Sequence, residues 1–183
     1  MIQLTITLMS KTIAILALSL AFSAAASSAE CDKPAVVSEL QSMLQRDQQD
    51  RASLVPPNSH VGPADATRLA DIVDACGWPG VSDFGERAAL GAFLVLQHAD
   101  LPLQLQLVPL LRSAATKGQL VPGTLPLLED RIRVRQGLPQ LYGSQFRGAG
   151  QPYPIEDPDN LDARRKAVGL APYSEYMKQI NRK

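Results

Sequence analysis

Apolar residues recur at helical spacing along most of this chain. Pro34 suits the first position of a helix, and Val36, Val37, Leu40, Met43 and Leu44 then repeat at three and four residues, which predicts a helix over Lys33 to Leu54. The stripe turns polar at Asp47, where leucine is expected, and stays polar through Gln48 and Arg51. Two readings are open there: the helix end leaves the core, or these side chains face a polar pocket. Val55 to Pro63, rich in proline and closing on Gly62-Pro63, reads as a loop. Ala64 to Cys76 carries Leu69, Ile72, Val73 and Cys76 on one face and stops at Gly77. Trp78-Pro79-Gly80 follows as a tight turn, its tryptophan either packed on the core or stacked on a ligand.

Asp83 and Glu86 have capping-box spacing and open a helix through Ala88, Leu90, Phe93, Leu94 and Leu96. It is apolar nearly all round, which predicts the central buried helix. Gln97, His98 and Asp100 stand at its C-terminal end. Leu101-Pro102 restarts a helix to about Lys117, with Leu105, Leu107, Val108, Leu110 and Leu111 expected inside and Gly118 as its stop. After the Pro122-Gly123 turn, Thr124 is expected to cap a helix through Leu125, Leu127, Leu128, Ile132 and Val134 to Gly137. Asp130 shares the face of Leu127 and Val134, so a partly buried carboxylate in need of partners is expected, with Arg133 and Arg135 solvated.

Leu141 to Phe146 and Tyr153 to Ile155, joined by a Gly-Ala-Gly turn region, predict one short β-hairpin near the C-terminal third. Asp157-Pro158 predicts a capped helix to Val168, ended by Gly169, and Pro172 opens a last helix to Ile180. The fold class is therefore mainly α, a single compact multi-helix domain of five to seven helices plus the hairpin.

The first residues carry an address rather than a fold. Lys11 is the only charge before Glu30, and the apolar run Thr12 to Phe22 leads to a small-residue stretch ending Ala-Ser-Ser-Ala. This predicts a signal peptide over residues 1–29, cleaved after Ala29, with the domain occupying residues 30–183. The apolar run is shorter than the roughly 20 residues of a membrane span, so no stable membrane association is expected after cleavage. Glu30 before Cys31 argues against lipid attachment. Cleavage removes 29 of 183 residues and one of 18 bases, leaving a chain of 154 with a net charge of −1. Such a chain has no electrostatic claim on nucleic acid.

A periplasmic or secreted location would oxidise Cys31 and Cys76 to one disulfide, which closes a loop and contributes on the order of 4 kcal/mol. A free thiol at Cys76 is the competing reading. A metal pair is not supported, because only His60 and His98 could complete a site. Nothing in the pattern calls for a cofactor, and there is no phosphate-binding glycine loop, H-E-x-x-H, C-x-x-C or G-x-S-x-G.

What remains is a set of polar residues where helices end or bend: Asp47, Gln48 and Arg51, then Gln97, His98 and Asp100, then Asp130, Arg131, Gln140, Tyr142 and Gln145. His98 is either structural, favoured by the helix dipole, or a general base oriented by a carboxylate from Asp100 or Asp130. A Ser144, His98, Asp130 triad can be written but not tested by spacing. The ordered set Asp-Gln-x-x-Arg-like first motif, Gly77-Trp78-Pro79, Gln97-His98-Ala99-Asp100, Asp130-Arg131 and Gly137-x-x-Gln140-x-Tyr142-Gly143-x-Gln145 resembles the bacterial domain-of-unknown-function family 6624 over nearly the whole mature chain. Two departures are conservative: the first motif reads Asp47-Gln48-Gln49-Asp50-Arg51, and Ser144 stands where that family usually has threonine. The resemblance implies no activity.

Two functional classes fit. In the first, these residues line a pocket for a small polar ligand, with Arg131 or Arg51 for an anionic group; a metal-free hydrolase or lyase would use His98 as base and Tyr142 or Arg131 to hold developing charge. In the second, the same residues form a satisfied buried network in a structural or protein-interaction module. Geometry separates them: the polar groups converge on an open cleft or on each other.

Overall fold

Helix α4, Glu86–His98, is the hub on which the five other helices up to Arg135 pack, as its largely apolar character requires. A computed structural model describes residues 30–52, 62–147 and 150–180, with side chains for all of these except residues 50–52. The expected signal peptide, most of the Val55 to Pro63 loop, the last two residues of the first predicted helix and the Arg51 side chain lie outside the described residues. Around α4 stand α1 (Lys33–Ala52), α2 (Pro63–Cys76), α3 (Val81–Phe84), α5 (Leu101–Thr116) and α6 (Thr124–Arg135). A 3-10 turn at Pro158–Asn160, α7 (Leu161–Ala167) and α8 (Tyr173–Ile180) complete the chain, giving eight α-helices among the described residues. Their shared core includes Leu40, Leu69, Ile72, Leu96, Leu111 and Leu128, all essentially inaccessible to solvent.

The α1–α4 contact sets the geometry of everything that follows. At Gly91 a Cβ would stand 2.2 Å from the Leu40 carbonyl oxygen, so only glycine lets the two backbones come this close. Seven residues further along each helix, Asp47 meets His98. Equal spacing in the same sense means that α1 and α4 run parallel. Two turns, about 10.5 Å of rise, separate the close approach from the polar pair. The Cys31–Cys76 disulfide ties the segment before α1 to the end of α2. Ion pairs Arg46–Asp65 and Arg68–Glu39 run between the same two helices on the surface.

Several local expectations give way to tertiary contacts. The predicted capping box is absent: Gly85 caps α4, while Asp83 pairs with Lys33 instead. Gly123, not Thr124, is the cap of α6, and the Thr124 hydroxyl donates to the Val121 carbonyl. Asp157 makes no backbone cap; its carboxylate accepts from the Asn160 amide and lies beside Arg164. In α5, Leu105 and Leu110 point outward, 42% and 43% exposed, and Gln104 is buried in line with Leu107, Val108, Leu111 and Ala114. An almost uniformly apolar helix does not specify which face turns inward; its neighbours do.

The predicted β-hairpin is not formed. The described residues contain only isolated bridges, Gln140 to Ile155 in parallel and Phe146 to Pro152 antiparallel. The reason is chemical. The amides of Leu141, Tyr142 and Ser144 donate to the Asp130 carboxylate, and that of Gln145 to the Gln140 side-chain oxygen, so they are unavailable to a strand ladder.

Candidate functional site

Two polar assemblies emerge from the residues singled out in the sequence, one at each side of the end of α4. The first is at the α4–α5 junction. His98 is the last residue of α4, and its Nε2 lies 3.6 Å from Oδ1 of Asp47, whose side chain is only 1% exposed. The carboxylate that faces the imidazole is therefore neither Asp100 nor Asp130. Asp47 is buried because the parallel register set at Gly91 keeps α1 against α4 to this point. Gln48 is exposed beside it, with Nε2 3.4 Å from Asp47 Oδ2.

His98 keeps 23% of its side chain exposed and lines a cavity of about 470 Å³. The same cavity is lined by the start of α2, with Pro63, Ala66, Thr67 and Ala70, and by Ala99 and Leu103. Asp100, exposed, also lines the cavity. Its carboxylate caps α5 by accepting from the Leu103 amide at 3.1 Å, which accounts for its place before a Leu-Pro helix start.

The second assembly is built around Asp130, which is fully buried on α6. Its two oxygens accept the amides of Leu141 at 2.6 Å, Tyr142 at 3.0 Å and Ser144 at 2.9 Å. Gln140, also fully buried, donates to the Gln145 and Tyr153 carbonyls and accepts from the Gln145 amide. Gln145 and Gln97 both direct their side-chain amides at the Leu127 carbonyl, at 3.4 and 3.5 Å. The Ser144 hydroxyl accepts from Gln145 at 3.1 Å, and with Asp47 as the carboxylate at His98, the Ser144–His98–Asp130 triad is not assembled. Arg131 is half-buried on α6.

Arginines not singled out in the sequence brace both assemblies. Arg133 and Arg135, expected in solvent, donate to the carbonyls of Pro139 and Ala99, and Arg133 also pairs with Glu156. Arg164 donates to the Leu141 and Asp157 carbonyls. Arg165, 2% exposed, reaches Ala171 and Tyr142 carbonyls while its guanidinium packs on the rings of Tyr173 and Tyr176. Burial lowers its pKa from the ordinary arginine value. A loop without secondary structure needs donors for its carbonyls and acceptors for its amides, and charged side chains supply both. The available signal was the Arg-Arg pair placed after the loop on a short predicted helix.

Tyr142 contributes mainly through its backbone. Burial raises the pKa of its phenol, and the Glu129 and Asp130 carboxylates add to the effect. The ring of Tyr173 covers Gly143, where φ is +72° and a Cβ would lie 2.7 Å from Tyr173 Cε2. Among the described residues no group of three or more His, Cys, Asp or Glu is arranged to hold a metal ion.

A family model described as a family of unknown function (DUF6624) matches residues 38–182. The chain belongs to this family. The match takes in both polar assemblies, beginning within α1 and extending past the end of α8. No curated protein and no solved structure matches the chain. No helix among the described residues is long and apolar enough to cross a membrane.

Proposed function

We propose that this DUF6624 domain is an exported binding protein whose small ligand sits in the cavity at the α4–α5 junction, with His98 as its polar anchor. One observation carries the reading: His98 opens onto a cavity of about 470 Å³ while a buried carboxylate, Asp47, stands 3.6 Å behind its Nε2. That volume is in the ordinary range for small-molecule sites. The carboxylate orients the ring, and an imidazole so placed can take or return a proton. Hydrolysis by an imidazole-activated water is the reaction class this pair suits. The walls contributed by Ala66, Ala70 and Leu103 favour a ligand with an apolar body and one hydrogen-bonding group. Export is supported by Lys11, the apolar run after it and the small residues before Glu30, with the Cys31–Cys76 disulfide in keeping with an oxidising periplasmic or extracellular location.

A different observation favours the second reading, a structural or interaction module. Asp130, Gln140 and Gln145 converge on loop backbone and on each other rather than on a cleft. In our reading these residues are the scaffold and the Asp47–His98 pair is the site.

Thermal unfolding of the mature domain against periplasmic metabolites, sugars, peptidoglycan fragments and nucleotides tests the proposal, with His98→Gln and Asp47→Asn alongside. A ligand at about 100 times its dissociation constant stabilises by roughly 2.7 kcal/mol. The expected result is a hit that both substitutions abolish. No hit, or hits indifferent to His98→Gln, would leave the structural module as the function.

A further inference from the structure

We infer that Gln104 is a positioning residue for His98. It lies on α5, is 0% exposed, and its Nε2 donates to the carbonyls of Leu96 and Gln97, each at 3.0 Å. These carbonyls belong to the last turn of α4, immediately before His98, where backbone donors run short and the Ala99 amide is shared between the Val95 and Leu96 carbonyls. On the other side of His98, the Arg135 guanidinium donates to the Ala99 carbonyl. The peptide groups that carry the imidazole are thus held from both directions.

Stability alone does not explain a glutamine here. Its Oε1 is buried with no hydrogen-bond partner among the described residues, a desolvated acceptor that methionine at the same position would avoid. The surrounding stretch Leu101-Pro102-Leu103-Gln104-Leu105-Gln106-Leu107 is otherwise rich in leucine, and the outward-facing Leu105 next to it shows that the helix could have turned an apolar residue inward. What the glutamine adds is the pair of donors. They fix where α4 ends, and hence whether the ring stays 3.6 Å from Asp47.

The inference rests on the reading that His98 anchors the ligand, and the test separates the two. The chain has two histidines, so the imidazole region of a proton NMR spectrum is simple, and His98→Gln identifies the His98 signal. Gln104→Met keeps the side-chain volume and removes both donors. The expected result is unchanged or higher thermal stability together with a His98 signal that moves and broadens. Arg135→Met, on an exposed residue, is the second variant and moves the same signal without disturbing the core. Any ligand found for the wild type should bind about tenfold more weakly to Gln104→Met, the scale on which supporting residues act. An unmoved His98 signal in both variants overturns the positioning role even if ligand binding depends on His98. A ligand whose binding ignores His98→Gln overturns the pocket reading, while the NMR comparison still decides what Gln104 does.

Discussion

Replacing Gly91 by alanine sets two effects of opposite sign against each other. In a helix interior alanine is favoured over glycine by about 1 kcal/mol, so propensity predicts a more stable protein. Packing predicts the reverse. The new Cβ would be 2.2 Å from the Leu40 oxygen and 3.0 Å from the Leu40 carbonyl carbon, both backbone atoms that cannot rotate away. A carbon approaches a carbonyl oxygen no closer than roughly 3.3 Å, so α1 must retreat by about 1 Å. That retreat loosens a core in which Leu40, Ala88, Ala92 and Val95 are almost fully buried. Overpacking of this kind costs about 1–3 kcal/mol and sometimes more, and the contact here is at the severe end. The net expectation is a loss of about 2 kcal/mol, or roughly 4–8 °C in melting temperature for a domain of this size. Urea unfolding followed by circular dichroism measures it, with an unchanged denaturant slope showing that the comparison is sound. The separation of Asp47 and His98 should widen as well, visible as a moved His98 imidazole signal. If Gly91→Ala is as stable as the wild type or more so, the close parallel approach of α1 and α4 is wrong, and with it the account of how Asp47 reaches His98.

Three further outcomes follow from the same contacts. Asp130→Ala strips acceptors from the amides of Leu141, Tyr142 and Ser144 and should cost about 3 kcal/mol, with hydrogen exchange of those amides rising before any loss of protection in α4. Reducing the Cys31–Cys76 disulfide, or replacing both cysteines by alanine, should cost about 4 kcal/mol in chemical denaturation, because it frees the unfolded chain without touching the cavity. The phenol of Tyr142 has a pKa raised above its ordinary value of 10.0 by burial, so the folded state holds this proton longer than the unfolded one. Its contribution is complete below pH 10 and is lost as pH rises through the folded value; a denaturation series across alkaline pH should fall more gently in Tyr142→Phe.

Much of the helical plan was legible in the residues themselves. Gly77, Gly118, Gly137 and Gly169 all take positive φ beside the ends of α2, α5, α6 and α7, where a chain without a Cβ turns most cheaply. The composition of α4 marked it as central, and an even pair of cysteines, read beside the expected signal peptide, marked the disulfide. These are local or compositional properties, so local reading suffices. The family resemblance, too, was carried by short ordered motifs, and the match over residues 38–182 bears it out.

Which side chain meets which was not legible. Asp130 reads as a partly buried carboxylate in need of partners, but the pattern does not say which: they are loop amides eleven to fourteen residues away, and binding them removes the predicted hairpin. Arg133, with ordinary surface spacing, reaches a loop carbonyl because that loop folds back over α6. The candidate site was found as a list and lost as a geometry: His98 was singled out, but its carboxylate comes from α1, 51 residues earlier in the chain. The sequence by itself determined where helices form, which one is central and which residues carry polar chemistry, since period, glycine and composition act within a few residues. Only the tertiary structure decided that Gln104 rather than Leu105 turns inward and that Asp47 stands behind His98, because both depend on how closely two helix backbones approach, and at Gly91 that distance is set by an absent methyl group.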